Sequence, residues 1–157
     1  MNWDALGAVG EIIGAIAVLL TLGYLALQIR QNTQAVQASA VESSINSVSE
    51  ARSAIFVNAD LAEIFEKGIS DPEQLTGVET IRFRLLVHNI LLAQANVFAQ
   101  MKYSNLPSST WKSQRPAILR VLKTPGGKWF WDNNHSDFES EFSEEIETLL
   151  GTSADDT

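Results

Sequence analysis

Residues 5–29 read ALGAVGEIIGAIAVLLTLGYLALQI. Between Leu6 and Ile29 the only acidic or basic side chain is Glu11, and the run from Ile12 to Leu27 has no charge at all. A helix rises about 1.5 Å per residue, so some 20 apolar residues cross the ~30 Å hydrocarbon core of a bilayer. The stretch is therefore predicted to be a transmembrane helix with the lipid bilayer as its partner. Trp3 and Tyr24 fall about 31 Å apart along such a helix, at the two interfaces where aromatic rings settle. Arg30 follows the apolar run directly and is the first basic residue of the chain. With a short acidic segment before the span, it orients the bulk of the protein toward the cytoplasm. A cleaved secretory signal requires a basic leader and a shorter apolar run, and Met1-Asn2-Trp3-Asp4 has no Lys or Arg. The other reading, a buried helix of a soluble bundle, fits poorly with so long an uncharged run.

The remaining composition is consistent with one domain beside this anchor. The chain has 157 residues, 45% of them hydrophobic, and a net charge of −8. Phosphate contacts need clustered Lys and Arg, and no basic block exists here, so nucleic acid is not a predicted partner. The same absence argues against docking on anionic lipid through a polybasic patch. Without cysteine, disulfides, thiolate chemistry and thiolate metal sites are excluded. The predicted organisation is a transmembrane anchor over residues 1–30, a cytoplasmic helical domain over 31–150 and a disordered acidic tail over 151–157.

One face of the anchor repeats. Alternating steps of three and four from Gly7 give Gly7, Gly10, Gly14, Ala17, Thr21, Tyr24, Gln28, Gln31, Ala35 and Ala38. Apart from Tyr24, every member is small or polar, whereas Val9, Ile13, Ile16, Leu20 and Leu27 are bulky and suit lipid. Apolar burial does not drive helices together inside a bilayer, so close packing relies on small residues that let backbones approach. Gly10 and Gly14 also match the close-crossing dimer pattern. Three uses fit this seam: self-association first, since most oligomers are symmetric homo-oligomers, then packing on a different membrane-protein subunit, then lining a pore. Glu11 lies beside it, about 12 Å inside the span if Trp3 marks the interface. A carboxylate at that depth is a functional candidate, for interhelical hydrogen bonding or for a ring at the mouth of a cation pathway. The alternative is that the helix shifts outward and Glu11 reaches the headgroups, or that it is protonated.

Helical periodicity continues past Arg30. No Gly or Pro occurs from Gln28 to Asn58, and Ile29, Val36, Val41, Ile45, Val48 and Ile55 recur near helical spacing. The anchor is thus predicted to run on into a long cytoplasmic helix. Asp60 is a candidate cap for a short helix ending at Lys67-Gly68, and residues 70–77 read as a connector. A strong helix follows from Val78 to Tyr103, long enough to pair with the first. Another runs from residue 106 to Lys123, interrupted or kinked near Pro116. Thr124-Pro125-Gly126-Gly127 reads as a tight turn. Trp129, Phe130 and Trp131 come next, then a last amphipathic helix from Ser136 carrying Phe138, Phe142, Ile146 and Leu149. No strand pattern is present, and the fold class expected is all-α: a transmembrane helix continuing into a long helix packed in a small bundle.

No enzyme signature is found. His88 and His135 have no second ligand at metal spacing, and His88 reads as a core histidine. Gly126-Gly127 follows a helix rather than a strand and lacks the Lys-Ser/Thr of a phosphate loop. The run Glu139, Glu141, Glu144, Glu145 and Glu147 reads as a solvated face rather than a cation site. Trp129, Phe130 and Trp131 offer a docking surface on the soluble side; the alternative, favoured by the nearby Phe138 and Phe142, is a plug in the core. No cofactor and no catalytic residue is predicted.

The segment Gly10-Glu11-Ile12-Ile13-Gly14 together with Tyr24-Leu25-Ala26-Leu27-Gln28-Ile29-Arg30-Gln31-Asn32-Thr33 resembles a widespread group of small bacterial single-pass membrane proteins. Pro125-Gly126-Gly127 with Trp131 and Phe142 is similar to that group's C-terminal signature. The resemblance spans most of the chain and implies a location in the bacterial inner membrane. It brings no established activity and no catalytic residues. The expected function is a non-enzymatic, membrane-anchored protein that self-associates or serves as a structural or accessory subunit of a membrane complex. The alternative is an oligomeric channel lined by the small and polar face.

Overall fold

The computed structural model describes residues 2–104 and 106–152, and all of its regular elements are helical. They divide into two units, one ending at Ala38 and one starting at Ser39. The first helix, α1, covers Trp3–Val57 and belongs to both. It has no proline to remove a ladder hydrogen bond, and its glycines end at Gly23, so nothing in the sequence interrupts it.

In the first unit every side chain from Gly7 to Val36 whose burial is described is exposed. The segment Gly7–Ser53 contains a window of mean hydropathy 2.2 with none of it buried. Among the described residues this is the one helix long and apolar enough to cross a membrane.

The second unit is built on α3, Gly77–Tyr103. Phe83, Val87, Leu91, Gln94, Val97 and Phe98 form its buried stripe, against which α2 (Ala59–Ser70), α4 (Ser108–Leu122), α5 (Pro125–Asn134) and α6 (Ser140–Thr152) pack. Ile81, Leu85 and Leu92 of the same helix lie outside this stripe and are exposed. The main partner of α3 is not α1. Within the second unit α1 adds Val48 to the core and sets the Ser44 hydroxyl 3.1 Å from Gln100 Oε1, while α3 packs chiefly on α2 and α4.

Helix ends account for most differences from the sequence reading. Asn58, not Asp60, caps α2: its Oδ1 accepts from the backbone N–H of Asp60 at 3.1 Å and of Leu61 at 3.3 Å. The helix then passes Gly68 and ends at Ser70. Thr76 and Glu79 form a capping box at the start of α3, where Glu79 Oε2 accepts from Thr76 N–H at 2.7 Å. Of the expected interruption or kink near Pro116, the interruption does not occur; α4 is continuous through it.

The segment expected as a turn at 124–127 instead opens α5. Thr124 Oγ1 accepts from Gly127 N–H at 3.0 Å, and Pro125 occupies the first turn, where its missing N–H costs nothing. Both glycines are buried for a packing reason. A Cβ on Gly126 would collide with the Gly68 carbonyl, and one on Gly127 with the Val121 carbonyl. The α2 and α5 backbones therefore touch where only glycine fits. After a single turn at His135–Asp137, α6 starts at Ser140 rather than Ser136 and includes Gly151 and Thr152. The remainder of the predicted tail, 153–157, lies outside the described residues.

Candidate membrane-spanning surface

The residues singled out in the anchor lie on α1, and all ten members of the repeating face are exposed. Among the described residues, a Cβ placed on Gly7, Gly10 or Gly14 would meet no atom within 4 Å, so the face is open to whatever lies beside it. Trp3 and Tyr24 are 69% and 62% exposed, and Arg30 is exposed one residue past the apolar run. Glu11 is exposed too, with no hydrogen bond or ion pair among the described residues.

Several polar side chains of α1, two members of this face among them, bond within their own helix. Thr21 donates its hydroxyl proton to the Ala17 carbonyl at 2.8 Å, and Thr33 does the same to Ile29 at 2.9 Å. Gln28 Nε2 donates to the Tyr24 hydroxyl at 2.8 Å. A polar group in hydrocarbon needs a partner, and these find one four residues back without help from a second chain. The i, i+4 spacing of Ala17/Thr21 and Tyr24/Gln28 was the available signal for these bonds, and the repeating pattern alone does not express it.

On the second unit the structure rearranges what the sequence grouped. Trp129, Phe130 and Trp131 make no exposed docking surface. Phe130 is fully buried, Trp131 nearly so, and Trp129 is half-buried with its ring 6.4 Å from Phe83. Trp131 stacks on Phe138 at 5.8 Å, and Phe138 leads to Phe142 and the Phe98–Trp111 pair. This is the core plug.

The acidic run on α6 is not simply a solvated face. Glu145 Oε1 accepts from Trp111 Nε1 at 2.9 Å and from Arg115 at 2.6 Å, tying α6 to α4. Glu141 pairs with Lys102 at 2.6 Å and accepts from the Tyr103 hydroxyl, tying α6 to α3. Those two bonds hold the Glu141 carboxyl below its ordinary range, the Lys102 bond most strongly. His88 stacks on Phe138 at 5.1 Å with Nδ1 3.9 Å from Asp137, a half-buried position at the edge of the core. No group of three or more potential metal ligands exists among the described residues.

Comparison with models of protein families, with curated proteins and with solved structures finds no match to this chain.

Proposed function

We propose that this chain is a non-enzymatic protein of the bacterial inner membrane whose N-terminal helix spans the bilayer and self-associates through its small-residue face, with the helical bundle on the cytoplasmic side. One observation carries the reading: thirty consecutive positions of α1, Gly7 to Val36, are exposed and predominantly apolar. A surface of that kind in water would drive aggregation, whereas lipid or a neighbouring helix covers it without penalty. The internal bonding of Thr21 and Gln28 supports the same placement, because each finds a partner four residues back without water or a second chain. Three open glycines along one side supply the close approach that lipid-embedded helices use to pair. Arg30 at the end of the span supports the cytoplasmic orientation, and the bacterial location rests on the resemblance of the anchor motif.

Glu11 supports a second reading, an oligomeric pore. An exposed carboxylate beside the seam would form a ring of acids in a closed assembly and favour cations.

Both readings are tested on the purified full chain in phospholipid nanodiscs and in detergent. Mass measurement is expected to give a symmetric multimer, and the double variant Gly10→Leu, Gly14→Leu is expected to weaken it by about tenfold or more by holding backbones apart. A wild-type chain that is monomeric, or a multimer indifferent to both leucines, would remove self-association through this face. A ring of five or more copies whose cation conductance disappears in Glu11→Gln would select the pore.

A further inference from the structure

Within the second unit, a cavity of about 240 Å³ opens between the end of α1 and helices α2, α3 and α4. Its wall is mostly apolar, with Ile55, Phe65 and Ile118 among the contributors. Three side chains break that pattern: Arg52, Gln94 and Arg120. Gln94 is fully buried, and neither its amide nitrogen nor its amide oxygen has a hydrogen-bond partner. Neither arginine has an ion pair or side-chain hydrogen bond among the described residues, and no Asp or Glu lines the cavity. In a chain of net charge −8, two unpaired guanidiniums on one apolar cavity mark a local reversal of sign.

We propose that this cavity binds a small anionic amphiphile, an alkyl chain ending in a carboxylate, whose head is held by Arg52, Arg120 and the Gln94 amide N–H. All three polar side chains of the wall can donate hydrogen bonds, and a guanidinium fork matches the two oxygens of a carboxylate. Buried amides are nearly always hydrogen-bonded, so an unpartnered one in an apolar wall is a group awaiting a ligand atom. The apolar wall takes the chain, as in most small-molecule sites. A cavity of about 240 Å³ has room for a medium-chain acid, for which octanoate serves as the probe. The site does not depend on how the anchors associate.

The test uses the full chain in phosphatidylcholine nanodiscs, titrated with carboxyl-labelled octanoate and read by the shift of the carboxyl resonance, with empty nanodiscs as background. Saturable binding of one octanoate per chain is expected. Affinity should rise about fourfold per methylene from hexanoate to octanoate, the ~0.8 kcal/mol of one buried CH₂, and level off in longer acids. Octanol should bind about tenfold more weakly or worse, for want of the charge-assisted bonds, and acetate should not bind. Arg120→Gln lies on an exposed side chain and should fold normally while weakening octanoate about tenfold, as should Arg52→Gln. Gln94→Leu should also weaken octanoate, whereas an amide that is merely an unsatisfied core group would leave the affinity unchanged. No saturable uptake above the empty nanodiscs overturns the proposal. So does an affinity unaltered in folded Arg120→Gln, Arg52→Gln or Gln94→Leu, or acetate binding as tightly as octanoate.

Discussion

Gly126 shows how a single missing methyl group determines where two helices can meet. Its Cα lies so near the Gly68 carbonyl that any side chain would force α5 off α2, and the backbone there cannot shift cheaply, because Gly127 is pressed on the Val121 carbonyl next door. Gly126→Ala is expected to destabilise the bundle by about 3 kcal/mol, at the upper end for overpacking, in urea unfolding followed by circular dichroism. Gly151→Ala is the control: nothing among the described residues lies within 4 Å of its Cβ position, and alanine there should be neutral or stabilising by up to ~1 kcal/mol. An equal loss in both variants would refute the close-approach explanation. The sequence carried both signals at this site and they conflicted. Pro-Gly-Gly reads as a turn, whereas Thr124 before Pro125 reads as a helix start. The deciding fact, a carbonyl from residue 68, is tertiary and has no local signature. Gln94 was illegible for the same reason, as one polar residue in an apolar run whose surroundings come from α1, α2 and α4.

Among the elements, α2 and α3 are joined by a polar link through one carboxylate, beside the packing of Phe65 on Phe83. Glu79 Oε2 accepts from Thr76 N–H at 2.7 Å and from Lys67 Nζ at 3.0 Å, and these bonds, the Thr76 backbone bond foremost, hold its pKa at about 2 against an ordinary 4.5. A lowered acid stabilises the fold fully above its unfolded pKa and loses that contribution as pH falls through the folded one. The wild-type advantage over Glu79→Gln should therefore be constant above pH 4.5 and shrink toward zero as the pH drops to about 2, measured by thermal unfolding. A difference independent of pH in that window would mean that the carboxylate is not responsible. Helix existence was well signalled along this part of the chain, since apolar periodicity is local. Helix ends were not: Asn58 and Asp60 are both good caps, and only the geometry of the α1–α2 join selects Asn58. The roles of Glu141 and Glu145 were hidden because their partners lie 30 to 39 positions away.

For the molecule as a whole, the division at Ser39 assigns the last third of α1 to the bundle. A chain beginning at Ser39 is expected to stay soluble without detergent and to melt in one cooperative step. One beginning at Ala59 loses Val48 from the core and should be less stable by at least about 2 kcal/mol. If the longer fragment requires detergent, the boundary is misplaced. The apolar run of the anchor was legible because length and charge alone define it, whereas the inner end of α1 has the mixed composition of any half-buried helix. Finally, the meeting of Gly68 and Gly126 joins parts of the chain far apart in sequence, with all of α3 and α4 between them. Closing so long a loop is entropically slow, while α3 and α4 pair across a short connection. The glycine crossing should thus lock late, after the rate-limiting step. Gly126→Ala would then leave the refolding rate nearly unchanged and act through faster unfolding, so that the two glycines set how long the bundle lasts once made rather than how quickly it forms.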